Sequence, residues 1–256
     1  MKHKPYLDAR FFFSTSPLPC PYLPGRVERR VVTELIGRNA AEMHDQLSDG
    51  GFRRSHSIAY APACPTCDAC AAVRVLAGEF RPSRSQRRIW KKNCDILAIE
   101  TPAIATQEQY NLFTKYQKDR HGDGDMSRMD FFDYQALIED TPVETTLVEF
   151  RNAGGRLVGG CLMDLMETGL SAVYSFFDPA FNGQSLGTHM ILWMIERARQ
   201  LDLDHVYLGF WIGECSKMAY KTKFHPIEIK RPEGWFRFDD HATIERSLPA
   251  GERRTA

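Results

Sequence analysis

Three cysteines at three-residue intervals, Cys64, Cys67 and Cys70, run almost directly into a basic segment, so thiol chemistry and anion attraction adjoin in the chain. Between residues 71 and 93, Arg74, Arg81, Arg84, Arg87, Arg88, Lys91 and Lys92 stand against a single acid, Glu79, whereas the whole chain balances 33 basic with 33 acidic residues. Local asymmetry within a neutral total is suited to a polyanion partner. Ser83 and Gln86 have the spacing of a reciprocal helix cap, which predicts a helix opening there with Arg84, Arg87, Arg88 and Lys91 on one face. Phosphates spaced along RNA suit such a face; a solvated surface helix is the plain alternative.

Seven cysteines are an odd number, which favours reduced thiols or metal ligands over a disulfide framework. Cys20 can join Cys64, Cys67 and Cys70 as a fourth thiolate for zinc or an iron–sulfur cluster. The crowded Cys-x-x-Cys-x-x-Cys spacing works against a tetrahedral site, and packed thiols are the other reading. Phe11-Phe12-Phe13 is too short for the apolar part of a leader, and no apolar run approaches the roughly 18 residues of a membrane span. The expectation is a cytoplasmic protein with no membrane partner and no DNA partner. With 43% hydrophobic residues over 256 positions, the chain can fill one large core or two small ones.

The elements that must carry these residues are legible in part. Residues 31–36, 57–60 and 72–76 read as strands, 40–47 as a short helix stopped by Gly50-Gly51, and Thr106 with Gln109 as a second helix cap. Residues 145–150, 156–166 and 170–177 read as an antiparallel meander, 185–201 as an amphipathic helix, 205–212 as a strand, and the segment from Ser216 as a short helix ended at His225-Pro226. This order is similar to a GCN5-related (GNAT) acyltransferase core. In that fold the loop before the long helix offers backbone N–H groups to a diphosphate. Gln184-Ser-Leu-Gly187 keeps half of the usual pattern, and His189 stands where a small residue is expected and would crowd an acyl-CoA diphosphate.

Several motifs then resemble one family in register: Cys20-Pro-Tyr-Leu-Pro-Gly-Arg26, Gly51-Phe-Arg-Arg-Ser55, the cysteine run, Phe80-Arg-Pro-Ser-Arg-Ser-Gln-Arg-Arg88, Tyr174-Ser-Phe-Phe-Asp-Pro179, Tyr207-Leu-Gly-Phe-Trp-Ile212 and Lys217-Met-Ala-Tyr-Lys221. The chain is similar to the bacterial aspartate/glutamate leucyltransferases of the arginyl-tRNA–protein transferase family. The resemblance implies an α+β fold of tandem GNAT-like units with mixed, mainly antiparallel sheets. They would comprise an N-terminal unit over 1–100, with the cysteine loop and basic helix, and an aminoacyl-transfer unit over 101–256. It implies transfer of leucine from leucyl-tRNA to proteins that begin with Asp or Glu, creating a degradation signal. No cofactor is required for that transfer.

The reaction would be aminolysis of an ester. A free α-amine, with a pKa of roughly 7.7–8.0, is already partly neutral at pH 7, so the protein must supply positioning, oxyanion hydrogen bonds and a proton route. Tyr174, Phe176 and Asp178 share one side of their strand. Asp178 can orient the amine, accept its proton or simply cap the strand. Lys217 and Lys221, read as one helical turn apart beside Tyr220, can contact the tRNA end, stabilise charge or lie on a solvated face. Arg53, Arg54 and Arg74 are candidates for the fork that holds the acceptor carboxylate, and Phe176, Phe210 and Trp211 for the leucine pocket. Arginyl transfer to the same acceptors, an acyl-CoA N-acetyltransferase and a non-enzymatic RNA-binding module are the competing readings.

Overall fold

A meander of three long antiparallel strands over residues 145–177, with the middle strand buried along nearly its whole length, builds the centre of the molecule. The computed structural model describes residues 10–120, 122, 124–240 and 243–244. In chain order the elements are β1 (Phe13–Ser14), β2 (Leu18–Pro19), β3 (Val27–Glu28), β4 (Arg30–Glu34), α1 (Ala40–Asp49), β5 (Arg53–Ser55), β6 (Ile58–Pro62), β7 (Ala71–Leu76), α2 (Arg84–Lys92), β8 (Leu97–Pro102), α3 (Gln107–Arg120), α4 (Phe131–Glu139), β9 (Thr145–Arg151), β10 (Leu157–Leu165), β11 (Gly169–Phe177), α5 (Leu186–Gln200), β12 (His205–Trp211), β13 (Ile227–Arg231) and β14 (Gly234–Phe238). Residues 179–184 and 216–224 form tight 3₁₀ turns.

Eight strands make one mixed sheet in the order β14-β13-β7-β12-β11-β10-β9-β8, in which β11 and β12 are the parallel neighbours and every other pair is antiparallel. β1, β4, β6 and β5 form a smaller antiparallel sheet. The expected α+β class with mixed, mainly antiparallel sheets is what the chain adopts. The division expected at residue 100 passes through β8, the edge strand of the large sheet, while β7 lies near its middle.

The period-two pattern splits the core in two. Val148, Phe150 and Cys161 face α5 on one side of the sheet, and Leu147, Leu162 and Phe176 face α3 and α4 on the other, around Phe113 and Tyr134. Both caps read from the sequence close as expected. Ser83 Oγ accepts from Gln86 N at 3.3 Å while Ser83 N donates to Gln86 Oε1 at 2.8 Å, and Thr106 and Gln109 repeat the exchange. α2 is then seated from below: Gln86 and Asn93 are buried, Gln86 Nε2 donates to Lys223 O, and Asn93 Nδ2 and Lys92 Nζ donate to the backbone oxygens of Gln184 and Gly183.

Candidate active site

β11 and β12 pair only from Gly169 with His205 to Ser171 with Tyr207, and then part. β11 carries a bulge at this point, where Tyr174 and Ala172 are successive partners of β10, and β12 shifts register against β7 between Tyr207 and Gly209. Arg53, arriving from β5, fills the gap that opens. Its guanidinium donates to Ala172 O at 2.6 Å and Val173 O at 3.3 Å on one strand and to Leu208 O at 3.2 Å on the other. Gly209, at φ +78°, leaves the room, since a Cβ there would lie 1.1 Å from Arg53 Nη1.

Two residues beyond Leu208 on β12, Phe210 O accepts from Lys221 Nζ. Lys221 is 6% exposed. Burial, with the positive charge of Arg53 adding to it, pushes its ammonium down to about 7. Neither Arg53 nor Lys221 has an acidic partner among the described residues. The Phe210 ring meets Tyr60 edge-on at 5.9 Å and lines a cleft with Tyr22, Arg29, Arg30, Tyr60 and Cys70. Arg30 is held in that cleft by Glu28, whereas Arg29 Nε is buried with no hydrogen-bond partner among the described residues. A gap in the sheet, a cationic cleft and a lysine close to neutrality therefore converge on Phe210.

The family-model description "Arginine-tRNA-protein transferase, N terminus" matches residues 18–88, and its C-terminus counterpart matches residues 108–231. The chain belongs to this transferase family. Among its relatives, the aspartate/glutamate leucyltransferase of Paramagnetospirillum magneticum is 53% identical over 93% of this chain and 98% of that protein. The protein of the same name from Rhodospirillum rubrum is 52% identical over 94% and 98%. Among solved structures, FemX is similar with a TM-score of 0.48 at 13% identity, covering 84% of this chain and 72% of that one, a likeness too loose to carry an argument.

Within this transferase frame, the residues picked from sequence separate by environment. Arg54, next to Arg53 but on the opposite face of β5, is buried in a fork with Asp164 at 2.7 Å to each oxygen, inside a cluster with Thr145 and His44. Arg74 is equally committed, to Glu228 at 2.6 Å, Asp49 at 3.0 Å and the Trp235 ring at 4.1 Å. Arg54 and Arg74, both candidates for the acceptor fork, thus already neutralise acids of their own chain. Phe176 and Trp211 are also core: Phe176 lies over Gly160 among Phe113 and Tyr134, and Trp211 packs on the α5 side. Of the three apolar candidates, Phe210 faces the cleft.

Lys217 and Lys221 do not share a face. In a 3₁₀ turn of three residues, positions four apart are rotated by about 120°, so Lys217 is in solvent when Lys221 is inside. Asp178 has no exposed side-chain surface and accepts from Lys115 at 2.5 Å, from Arg156 and from Ala180 N at 3.0 Å. Burial alone would raise its carboxyl, but Lys115, the Ala180 N–H and Arg156 outweigh it and hold the group below the usual range. An anion so firmly held ties the loop before α5 to α3 and is a poor proton acceptor at neutral pH. Tyr174 accepts from Gln117 Nε2 at 2.5 Å, and burial, reinforced by Tyr116, keeps its hydroxyl neutral.

His189 does not point toward an incoming phosphate. Its ring is buried 5.3 Å from Trp90 and 6.1 Å from Phe150, and burial takes its pKa down to about 4. The crowding expected from the sequence is replaced by core packing.

Cys20, Cys64, Cys67 and Cys70 do gather. Burial, followed by the proximity of the other three, pushes the Cys70 thiol up to about 12. Their sulfurs serve the 20–29 loop: Cys20 Sγ accepts from Leu23 N, Cys67 Sγ from Arg26 Nη1 at 3.1 Å, and Cys64 Sγ from Arg29 N. Among the described residues no group of three or more His, Cys, Asp or Glu side chains is placed to hold a metal ion. Three of the four sulfurs are thus occupied by donors of this loop, and the zinc or iron–sulfur reading of Cys20, Cys64, Cys67 and Cys70 finds no support among the described residues.

On α2, Arg84, Arg87, Arg88 and Lys91 are exposed, and none has an acid partner among the described residues. No helix among the described residues is long and apolar enough to cross a membrane.

Proposed function

We propose that this chain moves leucine from leucyl-tRNA to the α-amine of polypeptides that begin with Asp or Glu. The observation that carries this reading is the relative named for that activity, 53% identical and matched over nearly the full length of both chains. The amine attacks the leucyl carbonyl, the carbon–nitrogen bond forms, the ester bond to the ribose breaks, and the departing oxygen takes a proton. The gap between β11 and β12 receives the reacting ester. Arg29, a cation lining the cleft with no acid partner among the described residues, meets the acceptor's side-chain carboxylate. The exposed face of α2 takes the tRNA backbone, and polypeptides so extended are marked for degradation in the cytoplasm.

Purified protein given labelled leucyl-tRNA, arginyl-tRNA or acetyl-CoA, with peptides differing only at the first residue, tests this directly. Leucine should pass to the Asp and Glu peptides and poorly to Asn and Gln, because an uncharged amide forfeits the charge-assisted pair. Arginine in place of leucine would reassign the donor. Equal rates with all four peptides would remove the cationic pocket from the reading.

A further inference from the structure

Two cations sit on backbone oxygens two residues apart on β12, Arg53 on Leu208 O within the β11/β12 gap and Lys221 on Phe210 O. The groups that act electrostatically on Lys221 are Arg53, Cys215 and Cys70, with the Tyr220 ring 6.0 Å away, and none is a carboxylate. A second positive charge nearby in a desolvated site disfavours the ammonium form, and a guanidinium cannot be the group that gives way. Phe210 and Cys70 line the cleft, so its wall includes the residue whose backbone oxygen holds Lys221 and one of the groups that act on it. Asp178, the obvious alternative from the sequence, is locked by Lys115 and Arg156.

We propose that Lys221 is the proton acceptor of the transfer step. As the acceptor nitrogen attacks the carbonyl carbon, the neutral Lys221 amine takes one proton from it. The carbon–nitrogen bond forms and the carbonyl becomes a tetrahedral oxyanion. Collapse breaks the carbon–oxygen bond to the ribose, and the proton passes from Lys221 to that oxygen, which restores the neutral lysine and balances ester plus amine against amide plus alcohol. The hydrogen bond to Phe210 O survives in both forms, because a neutral amine still has N–H groups to donate while its lone pair faces the substrate. Arg53 acts as a positioning residue, holding the gap open and keeping Lys221 near neutrality. The nature of the acceptor, an N-terminal amine, rests on the leucyl-transfer reading above.

Single-turnover transfer from labelled leucyl-tRNA to an Asp-initiated peptide, followed from pH 6 to 9, tests the assignment in the wild type, Lys221→Gln, Lys221→Arg and Arg53→Gln. In the wild type the rate should rise through an acidic limb near 7. Lys221→Gln and Lys221→Arg should each be slower by roughly 100-fold or more, with only the acceptor amine's own limb at roughly 7.7–8.0 remaining. Lys221→Arg should fail although it keeps a donor for Phe210 O, which a merely structural role would not demand. Filter binding of leucyl-tRNA should stay within about twofold of wild type, as the variants change the proton route and not the tRNA surface. In Arg53→Gln the limb should move to higher pH, since a repelling charge has gone. No transfer by the wild type would defeat the leucyl reading itself. Transfer by the wild type with Lys221→Gln within threefold of it and an unchanged limb would overturn the role of Lys221. If the Lys221 variants give no cooperative thermal transition, the Arg53→Gln limb decides, and an unmoved limb overturns the proposal.

Discussion

On α2 the side chains of Arg84, Arg87, Arg88 and Lys91 stand in solvent with no acid partner among the described residues. Arg53, half-buried in the gap between β11 and β12, and Lys221, buried beside it against β12, also have no acid partner among the described residues, but their donors are bound to strand carbonyls. Arg54 and Arg74 form a third case, buried and fully paired. Formal charge is the same in all three places, and surroundings decide the use. An exposed array acts at a distance on a polyanion, a paired buried cation holds strands together, and an unpaired buried lysine gives up its proton.

The largest effect should come from breaking the paired case. Arg54→Ala strands Asp164, whose side chain has no exposed surface, and should cost about 3–5 kcal/mol in urea unfolding. A cost below about 1 kcal/mol would mean that Arg54 is as dispensable as a surface cation.

Next, Lys221→Met sharpens the unpaired case. Unfolded lysine keeps its proton up to roughly 10.4, whereas folded Lys221 releases it above about 7, so between those values the unfolded chain binds more protons and rising pH favours the fold. Stability of the wild type relative to Lys221→Met should therefore climb with pH across that window, by up to about 1.4 kcal/mol per pH unit, and be level below it. A flat difference from pH 7 to 10 would place a normal ammonium in the gap.

The smallest effect on the fold belongs to the exposed array. Arg87→Glu with Lys91→Glu should weaken tRNA binding by roughly tenfold and flatten its dependence on salt, because fewer counterions are released, while unfolding stays within about 0.5 kcal/mol of wild type. An unaltered salt slope would show that α2 is a solvated face.

What could be read from the sequence follows range of interaction. The caps of α2 and α3 are contacts over three residues, and the meander is a period-two pattern, so both were legible. The ion pair of Arg54 with Asp164 spans 110 positions and that of Arg74 with Glu228 spans 154; no local pattern separates them from Arg53. Lys217 and Lys221 were misread because 3.6-residue spacing was applied to a 3₁₀ turn. The cysteine spacing announced a cluster correctly, but not the 20–29 loop whose donors occupy its sulfurs. The Nε of Arg29, without a partner among the described residues, carried no signal at all.

Gly209 and Arg53 exclude each other's alternatives. Any side chain at 209 would sit on the guanidinium at 1.1 Å, on backbone already in the left-handed region, so the glycine is compatible with the arginine and nearly nothing else is. For heredity and for engineering this makes the pair one unit with a fixed order of change. Position 53 must be shortened before position 209 can diversify, and every intermediate that tries the reverse order expels the wedge that keeps the two strands apart.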